Sequence, residues 1–151
     1  MSLFEEVELL RDIPLFSKID PSKLKLLAFT SERLSFKNGQ IIFKEGDVGD
    51  SAYIIIDGKA VVLIDTDSGL MEIARLNKGD ILGEVAILCD VPRTATVRAE
   101  DSLTTLKINK DTFFSLVSEF PQISVEIMRE LATRLNRTNT KLRDALGDKS
   151  S

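Results

Sequence analysis

The sequence predicts a mainly β domain, an antiparallel sandwich or barrel, with helices before and after it. Two observations carry this. Between Arg33 and Ile108 the chain breaks into short runs rich in Ile, Val and Phe, separated by the turn signals "KNG", "EGDVGD", "DG", "DSG", "NKGD" and "DVP"; strands spaced this way pair into sandwiches and barrels. On either side of that region apolar residues recur at helical spacing instead. The length, 151 residues, suits one domain that buries about two thirds of its unfolded surface.

Taken in chain order, Leu3, Val7 and Leu10 mark a short amphipathic helix over 3–11. "DPSKLKLLAF" starts a second, with Asp20 as cap, Pro21 at the first helical position, and Leu24, Leu27 and Ala28 facing inward. Ile13, Leu15, Phe16 and Ile19 make the connector between them apolar enough to pack. Strands are expected near 33–36, 40–44, 52–56, 59–65, 71–76, 80–83, 95–100 and 103–108, with Asp57-Gly58 closing a type I′ hairpin. "NKDTFFSLVSEF" then gives a helix capped by Asn109 or Asp111, its apolar face formed by Phe113, Phe114 and Val117. Pro121 opens a long helix to about residue 146, with Ile123, Ile127, Leu131, Leu135 and Leu142 inward and Gly147 as its stop. The last polar residues are expected to be disordered.

Composition narrows the function. Hydrophobic residues at 43% and charged residues at 29% are those of an ordinary soluble globular chain, and a net charge of -4 argues against a general nucleic-acid-binding face. No histidine is present, which removes the usual general base, histidine-dependent triads and the commonest transition-metal ligand. Cys89 stands alone, so no intramolecular disulfide forms; it reads as a small, partly buried filler in a reducing compartment. No apolar run approaches a membrane span, and the acidic start "MSLFEEVELL" is not expected to act as a signal peptide. "EGDVGD" lacks the alternating oxygens of a calcium loop and reads as a turn.

One stretch departs from this ordinary text: "GEVAILCDVPRTATVRA", residues 83–99, which sets one acid and one base in segments that otherwise suit a core. Gly83 permits close backbone approach to a ligand or an unusual φ. The free amides of Glu84, Val85 and Ala86, at the start of a short helical turn, suit phosphate. Arg93 adds a permanently charged fork that matches phosphate oxygens. Ionised Glu84 only accepts hydrogen bonds, so it suits a hydroxyl such as a ribose 2′-OH. Together they form a socket for a sugar phosphate, with the sugar between the phosphate and Glu84.

The same stretch resembles the phosphate-binding cassette of the cyclic nucleotide-binding domain family. The resemblance covers nearly the whole chain: "PLFSKIDPSKLKLLA" is similar to the family's leading helices, "KNGQIIFKEGDVGDSAYIIIDGKAVV" to its first strands, and the last two helices to its hinge and lid. It implies a jelly-roll-like β-roll (a double-stranded β-helix) around a cyclic nucleotide, cAMP or cGMP, with no further cofactor and no metal. Gly83 and Glu84 would then meet the ribose and Arg93 the cyclic phosphate, while Val85, Ala86 and Ala95 line the cassette. Thr94 would reach a guanine amino group. Ile73, Leu76, Ile81, Leu82 and, from the long helix, Leu135 would form the apolar base pocket. That helix carries no aromatic residue, so any lid contact is expected to be aliphatic.

The expected organisation is one domain over 1–151: helices over 1–30, the β-roll over 31–108, hinge and lid helices over 109–146, and a disordered tail over 147–151. The expected function is a non-enzymatic, cytoplasmic sensor that signals through its C-terminal helices to a downstream protein partner not named by the sequence, without direct nucleic-acid or membrane binding. A weak homodimer through helix 121–146 would cover its apolar stripe. The alternatives are an interaction or dimerisation module with a vestigial pocket, and the sensor fragment of a transcription regulator or channel. A metal-dependent enzyme on a similar barrel lacks its histidines here.

Overall fold

A computed structural model describes residues 2–147; Met1 and 148–151, most of the expected tail, lie outside the described residues. The chain runs α1 (Leu3–Arg11), a 3-10 turn (Pro14–Phe16), α2 (Pro21–Thr30), β1 (Glu32–Phe36), β2 (Ile41–Phe43), β3 (Ser51–Thr66), β4 (Gly69–Leu76), β5 (Ile81–Leu82), α3 (Glu84–Cys89), β6 (Thr96–Asn109), α4 (Lys110–Glu119) and α5 (Pro121–Ala145). The caps follow local chemistry. Asp20 accepts from the Ser22 N–H and Asn109, rather than Asp111, from that of Thr112.

The main departure from the expected strands lies at Asp57-Gly58. These residues do not reverse the chain, and the two runs around them form one strand, β3, antiparallel to β6 from Ser51↔Asn109 to Leu63↔Thr96. Expected strands 95–100 and 103–108 merge in the same way into β6, so the described residues hold six strands rather than eight. The register slips on both sides of Asp57, and Gly58 has φ +93. The positive φ that would suit a hairpin serves here to bend a continuous ladder. Each arm of the bend recruits its own partners. The Ser51–Ile55 arm of β3 pairs with β5, and the β6 segment facing it pairs with β1; beyond the bend, β4 joins β3 and β2 joins β6. The result is a β-roll.

Alternation along β3 builds two cores. Ala52, Ile54 and Ile56 pack with Leu106, Ile108 and Ile81 against the helices, meeting Leu10, Phe16, Leu24, Phe113, Ile123 and Ile127. Tyr53 and Ile55 point the other way and, with Ala60, Leu76, Leu82, Val97, Ala99 and Leu103, fill the roll. The apolar connector Ile13–Ile19 is buried in the first core, as expected.

Three expected faces are corrected. Phe114 is 39% exposed while Phe113 beside it is buried, because α4 presents only one narrow stripe to the roll. Leu135 and Leu142 are exposed at 62% and 57%, since α5 leaves the core after Ile127 and Leu131. Cys89 is exposed rather than partly buried, being the last residue of α3.

A Cβ on Gly58 would lie 2.0 Å from the Ser102 carbonyl oxygen, whereas one on Gly39, also at positive φ, meets nothing within 4 Å. Gly58→Ala is therefore expected to destabilise the domain by roughly 2–5 kcal/mol, strain plus overpacking, against roughly 1–2 for Gly39→Ala. Urea denaturation of both variants measures the difference; equal losses would mean that the bend tolerates a side chain.

Candidate functional site

Arg93 is held from every side. Its backbone N–H donates to the Asp47 carbonyl at 2.8 Å, and its own carbonyl accepts from the Gly46 N–H at 2.8 Å. The "EGDVGD" turn thus grips the loop that carries the arginine. The side chain is buried, 4% exposed. Nη1 donates to the Gly83 carbonyl and Nη2 to the Ser51 carbonyl, each at 2.8 Å. Nε has no partner. Among the described residues no carboxylate pairs with Arg93 within 4.0 Å. The guanidinium lies over the Phe43 ring, 4.1 Å from its centroid. Burial lowers its pKa, yet an arginine remains charged.

Gly83 explains itself in this setting. It precedes α3 with φ +83, and a Cβ there would lie 2.6 Å from Arg93 Nη1. The unusual φ anticipated at this glycine is present, and the group that comes close to it is the Arg93 fork.

Glu84 is 1% exposed. Its Oε1 accepts from Arg134 Nη1 at 2.7 Å and its Oε2 has no partner. Arg134, on α5, also donates through Nη2 to the Glu130 carboxylate at 2.6 Å and to the Ile81 carbonyl. Burial pushes the Glu84 carboxyl up from the usual range while the Arg134 charge opposes it. Glu130 is also raised, again first by burial, with Asp80 and Glu84 adding repulsion.

A cavity of 80 Å³ joins these groups. Gly83, Glu84, Val85, Ala86, Arg93, Thr94 and Ala95 all border it, with Phe43, Val62, Leu76, Leu82, Val97 and Arg134. The expected apolar pocket is brought together only in part. Leu76 and Leu82 line the cavity. Ile81 precedes Leu82 on a strand and faces the helical core instead. Ile73, half-buried on β4, does not border the cavity; its carbonyl accepts from Lys141 Nζ of α5 at 3.0 Å. Leu135 points to solvent. One residue earlier on α5, Arg134 makes the contact instead, so the lid meets the site through a charge rather than an aliphatic side chain. Sequence reasoning missed Arg134 because α5 also carries Arg129, Arg137 and Arg143, and nothing local singles out one.

The Glu84–Arg134 pair has side chains 1% and 21% exposed. Arg134→Ala therefore falls between surface and fully buried pairs, costing about 2–4 kcal/mol near neutral pH. A native carboxyl raised above its unfolded pKa contributes its full stability below the unfolded value and loses it as pH rises through the folded one. Without Arg134 that loss grows for Glu84 and for Glu130, so the deficit of the variant should shrink as pH falls and the two raised carboxyls take up protons. Urea titrations at several pH values test this, with Glu130→Gln separating the second carboxyl; a deficit independent of pH would mean that Arg134 holds neither charge.

Residues 33–120, more than half of the chain, match the family model of the cyclic nucleotide-binding domain. The cAMP-dependent protein kinase regulatory subunit of Blastocladiella emersonii is 35% identical over 115 residues, 76% of this chain and 28% of that protein. A CRP-like cAMP-activated global transcriptional regulator of Mycobacterium tuberculosis is 30% identical over 140 residues, 92% of this chain and 62% of the regulator. In three dimensions the catabolite activator protein of Thermus thermophilus is similar with a TM-score of 0.74 at 26% identity, over 89% of this chain and 63% of that one. The chain therefore spans less than two thirds of each of these relatives. With the β-roll and the cassette in place, the chain belongs to the cyclic nucleotide-binding domain family.

Proposed function

We propose that this domain is a receptor for cAMP or cGMP that reports occupancy through α5, with no catalytic step of its own. The observation that carries the reading is one cavity bordered by a buried cation with a spare N–H, at Arg93 Nε, and a buried carboxylate with a spare acceptor, at Glu84 Oε2. Arg93 would meet the cyclic phosphate and Glu84 the ribose 2′-OH. Thr94, exposed at the cavity rim, would favour guanine, and Leu76 and Leu82 would lie against the base. The named relatives, a cAMP-dependent kinase regulatory subunit and a cAMP-activated regulator, support the ligand class.

The cavity of 80 Å³ is smaller than the roughly 300 Å³ at which small-molecule pockets begin. Leu76 and Arg134 also border a second cavity of 340 Å³ between α5 and the Lys78–Asp80 turn. Seating a nucleotide would require the Arg134 side chain between the two cavities to move, which would couple occupancy to α5.

A second reading, self-association, is favoured by the exposure of Met128, Leu135 and Leu142, seven residues apart on one stripe of α5. A weak two-fold dimer through this helix is compatible with the receptor reading and would bring a downstream protein partner to the same end of the molecule.

Calorimetry with cAMP and cGMP tests the ligand. Micromolar or tighter binding is expected, and Arg93→Leu should weaken it by roughly thirty- to several-thousand-fold. Glu84→Ala and a 2′-deoxy ligand should each weaken binding yet not add, since both delete one hydrogen bond. An unchanged affinity in the arginine variant, or full additivity in the cycle, would overturn the assignment. Hydrogen exchange over residues 121–146 should change when nucleotide is added, with light scattering separating monomer from dimer. Identical exchange at saturating ligand would exclude α5 as the reporter.

A further inference from the structure

We infer that Phe43 is a positioning residue of the ligand site, setting the plane of the Arg93 fork through the face of its ring. This rests on the reading that Arg93 meets the cyclic phosphate. The first support is geometric: the guanidinium carbon lies 4.1 Å from the Phe43 centroid, with the Tyr53 ring further off at 6.0 Å. The second lies in the strand. Ile41 pairs with Arg98 and Phe43 with Val97, so β2 carries one residue more than β6 between these rungs. In a regular strand Ile42 and Phe43 would face opposite sides. Here both pack on the core inside the roll, and Phe43 also borders the cavity. The bulge turns this one side chain towards the site.

The chemistry gives the ring a task that a carboxylate cannot perform. A buried guanidinium needs compensation for lost water. An Asp or Glu partner would supply it, but would also cancel the charge and occupy the donors that an anionic phosphate needs. An aromatic face attracts the cation while using no N–H donor and leaving the positive charge intact. With one N–H on each of Nη1 and Nη2 bonded to a carbonyl and the ring against one face, the fork has one orientation, and Nε–H has no protein partner.

The test compares wild type, Phe43→Leu, and protein with phenylalanine at position 43 bearing one, two or five ring fluorines, which weaken the quadrupole at nearly constant shape. Binding of cAMP and of its two phosphorothioate diastereomers is read by calorimetry, and folding by thermal melts. The expected result is a two- to roughly thirty-fold loss in Phe43→Leu, a graded loss along the fluorine series, and a diastereomer preference that collapses towards unity. Unchanged affinity, a flat fluorine series, or equal proportional loss for both diastereomers would overturn the inference, because plain packing does not distinguish the two oxygens. If wild type binds no cyclic nucleotide, the receptor reading fails, and the Arg93 Nε–H resonance decides the role of Phe43 without ligand. That resonance should be ring-shifted in wild type and should move with each fluorine; indifference to the ring would overturn the role.

Discussion

The buried positive charge of Arg93 is the constraint to which the rest of the site answers. Its two side-chain bonds reach Ser51 at the start of β3 and Gly83 at the start of α3, and its backbone is tied to the Gly46–Asp47 turn. One residue thereby fastens segments that are far apart in sequence. Hydrogen bonds to a charged group are worth about 1.5–3 kcal/mol each. Burial of an ion costs several kcal/mol. The two carbonyls and the Phe43 face are of the same order as that penalty, so they hold the arginine in place without neutralising it. An anion delivered to Nε would be the missing partner.

That fastening depends on the bent β3–β6 ladder. A flat ladder would leave β4 and β5 on one plane, and Leu76 and Leu82 could not converge on one cavity. The bend at Gly58, set against the Ser102 carbonyl, folds the two arms towards each other. Tyr53 and Ile55 from one arm then share a core with Ala60 and Val97 from the other. The pocket is the open end of that core, and its apolar wall is a by-product of closing the roll.

How much of this was legible in the sequence follows from the range of each interaction. The caps at Asp20 and Asn109 act over two or three residues and could be read directly. The residues Gly83 to Ala95 could be singled out because an isolated acid and base in apolar text carry their own signal. At Asp57-Gly58 a positive φ serves a hairpin or a bent strand equally well, and only pairing with β6 across more than forty residues decides between them. Ile81 and Leu82 differ by one position, which on a strand exchanges core for pocket. On α5 one position is roughly 100° of rotation. That step replaces exposed Leu135 with Arg134 at the cavity, and helical periodicity alone fixes the angle no better. The expected strand 40–44 does not distinguish Phe43 from its neighbours, because a bulge leaves no trace in composition.

The two charged residues of the cassette are anchored differently, and this decides which of them can transmit a signal. Arg93 is bonded to backbone of the roll, through Ser51 and Gly83, and to rings that belong to its strands. The strands of the roll are continuous with two buried cores, so a ligand pulling on Arg93 would pull on a packed framework. Glu84 instead shares its one engaged oxygen with Arg134, which belongs to a helix whose last turns lie exposed. Arg134 is in turn divided between Glu84, Glu130 and the Ile81 carbonyl. A hydroxyl arriving at Glu84 changes the carboxylate to which α5 is tied, and Glu130, four residues before Arg134 on the same helix, stands ready to keep the guanidinium paired if it lets go. In the proposed receptor the arginine side of the cassette would therefore supply affinity, while the glutamate side would supply the coupling that makes occupancy visible on α5.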